Sequence, residues 1–260
     1  MSVQAKWSDL TAPEFANLPP DCIAILPLGA TEQHGPHLPL SVDSDLVMAA
    51  LDRSRAHWSA DVSALILPVL TITKSNEHDA VPGGISLSGT TLLAMLDDIG
   101  AGVARAGIKR LFMLNGHGGN AAVLEIAARE LRQKHGLITA HGSWFGFSDW
   151  STIYPDAASV HDIHAGDSET SAMLALDPSR VDMTKAVNEQ PTSRDWADIN
   201  RWIGLSGQAA RPGWVIGDLS ESGICGDATA ATAEKGAALL DSAGRGIAAF
   251  LSEFARFDPQ

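Results

Sequence analysis

Between Thr31 and Asp43 the chain brings Glu32, His34, His37 and Asp43 into one short segment, two carboxylates beside two imidazoles. That segment follows the apolar run Cys22–Leu28, which reads as a buried strand. Acids and histidines next to a core strand are costly to desolvate unless something pairs with them. A divalent cation is the most economical partner, because carboxylate oxygen and imidazole nitrogen are what zinc, manganese and iron sites use. Glu32 and His34 are two apart, so in an extended segment their side chains point the same way. Asp43 comes nine positions after His34, behind Pro36 and Pro39. Both prolines stiffen the loop by fixing its backbone angles, which suits a ligand arriving at the start of the next helix. A Glu-x-His pair alone is a weak signal; the bland alternatives are a charge on the loop surface and a hydrogen-bonded loop histidine.

Two further segments carry residues of the same kind. Asn115-Gly116-His117-Gly118-Gly119-Asn120 sets one histidine among three glycines, allowing close backbone approach at a strand-to-helix turn. It lacks the Gly-x-Gly-x-x-Gly spacing of a dinucleotide fingerprint, although a phosphate cradle at the following helix N-terminus stays open. His161-Asp162-Ile163-His164-Ala165-Gly166-Asp167-Ser168-Glu169-Thr170-Ser171 is the third. His164 and Glu169 straddle a loop-to-helix junction there. Asp167 or Ser168 could cap the helix and Glu169 could compensate its dipole, but capping leaves the two histidines without a task.

The elements around these segments are those of an α/β protein. Strand-like apolar runs recur at Cys22–Leu28, Ala64–Leu70, Arg110–Asn115 and Leu137–Ser143. Helical spacing fills the stretches between them, at Ser44–Trp58, Thr90–Ala106 and Ala121–Lys134. This alternation predicts βαβ units and a mostly parallel sheet with helices on both faces, three layers α/β/α in one domain over residues 1–260. A helix is predicted from Gly166 to Leu176, stopped by Asp177-Pro178. Residues 186–226 read as long loops with short helices, a lid or a subunit contact. Ala228–Phe257 reads as a closing helix with a break near Gly244 and Gly246. In open α/β sheets functional loops leave the carboxyl ends of the strands. The loops after Leu28 and after Leu114 both do so, and could face one crevice.

Composition narrows the partners. The 260 residues are 45% hydrophobic and 19% charged, enough for a sizeable core in one domain. A formal charge of −13 argues against nucleic acid or an anionic membrane as partner, since both need a basic face. Cys22 and Cys225 are the only cysteines, so no disulfide framework is implied. No signal-peptide core stands near the start and no run reaches bilayer-spanning length; a soluble cytoplasmic protein is the default expectation.

Taken together the motifs resemble the creatininase (creatinine amidohydrolase) family. The resemblance is carried by Gly29–Leu40 (Gly-Ala-Thr-Glu-Gln-His-Gly-Pro-His-Leu-Pro-Leu), Pro82-Gly83-Gly84-Ile85-Ser86-Leu87, Asn115–Asn120, His164–Ser171 and Gly226–Gly236, in the family's order. It implies a creatininase-like fold, a homohexamer and a two-metal site holding zinc, with manganese or iron as alternatives. On the family's metal-ligand positions fall Glu32, His34, Asp43 and His117, with Asp43 as the bridge. Glu169 matches a ligand position in many members, and His164 matches the histidine assigned to proton transfer. The segment Ser75-Asn76-Glu77-His78 matches the loop before the family's Pro-Gly motif and is expected to border the substrate through Ser75, Glu77 and His78. Departures are specific. Gly119 stands where the namesake enzyme has an acidic ligand, a role that passes to Glu169. Asp167 stands where many relatives carry Glu, and Ile163 where the namesake has a catalytic acid, so creatine-forming activity does not follow. Trp144 and Trp150 lie in the region where the namesake closes tryptophans over substrate; core or subunit packing is an equal reading.

The chemistry so implied is hydrolysis of a C–N amide bond in a small substrate (cyclic amide, formamide or short peptide) by a hydroxide activated between two divalent ions, with His164 as proton donor to the departing nitrogen. Two rivals remain. The same scaffold could serve a metal-dependent isomerase or a C–C hydrolase of cyclic ketones. A noncatalytic protein holding a nucleotide or phosphate on the glycine loop is the other.

Overall fold

The computed structural model describes residues 2–155, 161–205 and 207–259. Five strands form one all-parallel sheet: β1 (Gln4–Lys6), β2 (Ile23–Leu28), β3 (Ala64–Ile66), β4 (Arg110–Asn115) and β5 (Ile138–Ser143), in the spatial order β1-β3-β2-β4-β5. The helices are α1 (Val42–Ser54), α2 (Gly89–Arg105), α3 (Ala121–His135), the single turn α4 (Trp150–Ile153), α5 (Asp167–Leu176), α6 (Ser193–Ile199), α7 (Ile216–Leu219) and α8 (Ala233–Phe254). A short antiparallel pair, β6 (Asn188–Glu189) with β7 (Gly226–Asp227), stands apart from the main sheet.

Alternation along β2 explains the three layers. Ile23 and Ile25 point into a core shared with Leu46 and Val47 of α1, Met173 of α5 and Leu239 and Ile247 of α8. Ala24, Leu26 and Leu28 point the other way, among Leu92 and Leu96 of α2 and Leu124 and Leu131 of α3. A central parallel strand is covered on both faces and therefore reads as a continuous apolar run. Each fully buried leucine or isoleucine contributes about 1.5–3 kcal/mol relative to an exposed one. The α/β class, the parallel sheet and the helices on both faces are as the sequence predicts.

Differences have local causes. Strand β3 stops at Ile66 rather than Leu70 because Pro68 cannot donate to the ladder; Leu67 and Leu70 still donate to Ile25 and Pro27 at 2.8 and 3.0 Å. Edge strand β1 carries no apolar run that would announce it. Helix α8 starts five residues later than Ala228 and is continuous through Gly244 and Gly246. Those glycines mark packing, not a break: a Cβ on Gly246 would lie 2.0 Å from the Phe147 carbonyl oxygen, and one on Gly244 3.1 Å from Arg53. Among the described residues no helix is long and apolar enough to cross a membrane.

Candidate metal centre

The chain runs from β2 to β3 on one side and returns with β4 on the other, so the topological switch lies between β2 and β4. Ligand sites of open α/β sheets form at that place, beyond the strands' carboxyl ends. Leu28 and Asn115, the last residues of the two strands, are paired in register, and the Gly116 amide donates to the Leu28 carbonyl at 2.7 Å. The Glu32 loop and the His117 loop therefore leave side by side. Gly116 also admits the start of α1: a Cβ there would lie 2.4 Å from the Asp43 carbonyl oxygen.

Asn115 and Asn120 hold the His117 loop in shape. Asn115 accepts from the His117 amide at 3.2 Å and donates to the His117 carbonyl at 2.6 Å. Asn120 donates to Gly29 and accepts from the Lys74 amide, each at 3.2 Å. In consequence the loops after β2, β3 and β4 form one hydrogen-bonded unit.

All five residues predicted as metal ligands converge here, and all are buried. Asp43 lies at their centre. Its Oδ1 is 3.3 Å from His34 Nε2, while its Oδ2 is 3.2 Å from His117 Nδ1. His117 Nδ1 is also 3.2 Å from Glu32 Oε1, and His34 Nε2 is 3.8 Å from Glu169 Oε2. The far nitrogens are spoken for: His34 Nδ1 lies 3.2 Å from the Glu32 carbonyl and His117 Nε2 3.0 Å from the Lys74 carbonyl. Each ring thus donates to backbone and turns its other nitrogen towards two carboxylates. Asp43 belongs to two sets whose donor atoms lie within 4.8 Å of one another, Glu32/Asp43/His117 and His34/Asp43/Glu169.

Electrostatics show how strongly this cluster calls for positive charge. Burial opposes a charge on His34, yet Asp43, then Glu169 and Glu32, outweigh it and push its pKa up to about 9. His117 is likewise raised well above the imidazole range against its burial, chiefly by Glu32. Asp43 is held far below the carboxylate range by the two histidines despite its burial. Burial raises Glu169 to about 7. Glu32 Oε1, His34 Nε2 and Asp43 Oδ2 are buried and make no hydrogen bond in the structure. Such atoms are costly unless a cation meets them. The donor set, carboxylate oxygen with imidazole nitrogen, fits a zinc or manganese ion.

Glu169 reaches the cluster from the first turn of α5, and its Oε2 accepts the Ala165 amide at 2.6 Å. To present that amide Ala165 adopts φ +52°, the single positive φ of a non-glycine among the described residues, a strain on the order of 1 kcal/mol. His164, next to it, is sandwiched between the rings of His34 and His78 at 4.3 and 4.4 Å. The sequence predicts an imidazole titrating near working pH. Burial, followed by His34 and His78, instead moves His164 well below that range.

Ser75, Glu77 and His78, predicted to border the substrate, lie against the cluster itself. Ser75 donates its hydroxyl to Glu32 Oε2. Glu77 reaches His117 Nε2 and Lys74, at 3.3 and 2.6 Å. His78 Nε2 is 3.5 Å from Glu32 Oε1. Gln33, to which the sequence reading gave no role, proves to be a hub: its amide nitrogen lies 3.0 Å from both His78 Nδ1 and His164 Nε2 and 3.2 Å from the Gly223 carbonyl. Its place between Glu32 and His34 was the available signal. Trp144 is fully buried and stacked on Phe145 at 3.9 Å. Trp150 is half-buried and, with Phe145, walls a cavity of about 290 Å³ that reaches Glu169, Gly116 and Gly118. Trp214 meets His78 edge-on at 6.5 Å from the loop region before α7.

Comparisons with known proteins point to one family. Residues 8–251 match the creatininase (creatinine amidohydrolase) family. The chain is 32% identical over 241 residues to the mycofactocin precursor peptide peptidase of Mycobacterium tuberculosis, covering 88% of this chain and 86% of that one. It is also 32% identical over 249 residues to the creatinine amidohydrolase of Pseudomonas putida, covering 90% of each. A crystal structure of creatininase superposes with a TM-score of 0.75 at 29% identity, over 97% of this chain and 98% of that one. Similar solved structures include a manganese creatininase, with a TM-score of 0.75, and a mutant creatininase of Zn–Zn type, with a TM-score of 0.72. With residues 8–251 matched by the family's model and nearly the whole length superposed on a creatininase structure, the chain belongs to the creatininase (creatinine amidohydrolase) family.

Proposed function

We propose that this chain is a two-metal amidohydrolase that cleaves a C–N bond in a small amide, a cyclic amide, formamide or short peptide, in the cavity beside Glu169. The observation that carries the reading is the disposition of Asp43, each of whose oxygens faces a different histidine. One cation would be held by Glu32, Asp43 and His117, the other by His34, Asp43 and Glu169. Divalent ions, when bound, polarise a carbonyl and lower the pKa of water towards neutrality.

The chain's own residues do the rest. His164 Nε2 donates its N–H to the Gln33 carbonyl at 2.7 Å, which leaves the Nδ1 lone pair facing the cluster. With its pKa lowered, His164 is neutral at working pH and accepts a proton at Nδ1 from water as the water attacks the amide carbonyl. The same nitrogen then delivers the proton to the departing amine. Gln33 keeps the neighbouring His78 ring in place by donating to its Nδ1. Phe145 and Trp150 wall one side of the cavity.

Two groups of relatives differ in what their names say they act on, creatinine and a precursor peptide. Ile163 lines the cavity where the namesake enzyme has its catalytic acid, which favours an amide other than creatinine. Chelator-stripped protein, reloaded with zinc or manganese and screened on lactams, formamides and short peptides, tests the reading. A free amine released only from the reloaded enzyme supports it; turnover that survives stripping removes it. The hexamer implied by the family enters this reading as well, and sedimentation velocity tests it.

A further inference from the structure

We propose that Glu77 is the outer carboxylate of the metal centre: it grips the far nitrogen of His117, and residue 119 is glycine so that it can. This rests on the reading above, in which His117 turns Nδ1 to a cation shared with Glu32 and Asp43. Glu77 sits in the short 3-10 turn Asn76–His78, and its side chain points inward, only 8% of the residue being exposed. Its Oε1 lies 3.3 Å from His117 Nε2, and its Oε2 accepts from Lys74 Nζ at 2.6 Å. The Lys74 carbonyl lies 3.0 Å from the same His117 nitrogen. One N–H is therefore shared between a carbonyl and a carboxylate, and the ring cannot turn over without losing both.

Gly119 completes the arrangement. A Cβ on it would lie 1.9 Å from Glu77 Oε1 and 2.4 Å from His117 Nε2. Any side chain there would evict the carboxylate or the imidazole, so residues 77 and 119 are complementary: the acid of one occupies the space the other gives up. A carboxylate on the far nitrogen of a ligating imidazole fixes its tautomer and strengthens it as a ligand, and removing one costs roughly 10–100-fold in metal affinity.

The test is a calorimetric titration of chelator-stripped protein with Mn²⁺, on the unaltered chain and on Glu77→Ala, Glu77→Gln and Gly119→Ala, each checked for folding by its thermal melt. Glu77→Ala weakens one of the two binding events by roughly 10–100-fold and spares the other. Glu77→Gln keeps an acceptor without the charge and falls between, and it carries the test should the alanine variant not fold. Gly119→Ala weakens the same event. Two unchanged binding events in the Glu77 variants overturn the proposal while leaving the metal centre intact. An unaltered chain that binds no Mn²⁺ overturns the underlying reading, before any substitution is made.

Discussion

His164 Nε2 lies 2.7 Å from the backbone carbonyl oxygen of Gln33, so the proton of the neutral ring sits on that nitrogen. The remaining lone pair, on Nδ1, is 3.7 Å from Glu32 Oε1. That places a proton acceptor at the edge of the cluster while both Asp43-centred donor sets are complete without it. His164→Ala is expected to keep about two equivalents of metal and to lose turnover on the order of 10²–10⁴-fold, the usual weight of general acid–base catalysis. Metal content by plasma mass spectrometry beside kcat decides. His164 also groups with Glu32 and His34, so loss of an equivalent from the variant would make it a ligand and the assigned role wrong.

Because Asp43 belongs to both sets and His117 to one, their substitutions differ in stoichiometry. His117→Ala leaves His34, Asp43 and Glu169 together and should retain about one equivalent of metal. Asp43→Ala breaks both sets and should retain none after gel filtration. Hydrolysis falls to background in either variant, since the chemistry needs both ions. Equal metal content in the two variants would rule out a shared Asp43.

The two tryptophans the sequence places near a possible lid have separate fates. Trp144 has no exposed surface and packs in the core under α8, so Trp144→Ala should cost about 3–5 kcal/mol of stability. Trp150 walls the cavity that reaches Glu169. Trp150→Ala should leave metal content unchanged and raise KM more than it lowers kcat, because it removes binding surface away from the reacting atoms. Urea unfolding and steady-state kinetics on both variants check the pair, and an unchanged KM for Trp150→Ala would move the substrate elsewhere.

What the sequence revealed of this site depends on how a residue advertises itself. Glu32, His34, Asp43 and His117 are of metal-ligand type at short spacing beside apolar runs, and the strand-end rule brings their loops together. Gln33 signals itself only by its place between Glu32 and His34, and the pairing of Glu77 with Gly119 carries no signal of that kind. An amide or a lone acid acquires its meaning from partners dozens of residues away in the chain, as Gln33 does from His78 and Gly223. The fold shows the same division. Strands β2 and β4 are buried on both faces and stand out as apolar runs, whereas β1, three residues at a sheet edge, offers no pattern. Gly244 and Gly246 look like helix breakers in one dimension, yet in three they are where Arg53 and Phe147 press against α8.

His37 makes the stability of the metal-free chain depend on pH with a definite sign. Burial, then the field of His34, lowers its pKa to about 4 from an ordinary 6.5. Its Nε2 meets Thr170 Oγ1 at 2.8 Å, next to Glu169. Between pH 6.5 and 4 the unfolded chain binds a proton at His37 that the folded chain refuses, so unfolding becomes easier as the pH falls through that window and is untouched above it. From pH 6.5 to about pH 5 the loss is about 2 kcal/mol, at 1.36 kcal/mol for each pH unit. Asp162 works against it: burial raises its pKa to about 6, and the folded chain gains stability as it takes up that proton on acidification. Glu169, raised to about 7, and His164, moved well below its ordinary range, add to the balance, so a single urea curve at each pH would hide the contribution of His37. The difference between the parent chain and His37→Gln isolates the histidine, because Asp162, Glu169 and His164 are common to the pair. That difference should shrink by about 2 kcal/mol on going from pH 6.5 to about pH 5, with chelator present throughout. A difference independent of pH would mean that His37 titrates in the folded chain as it does in the unfolded one.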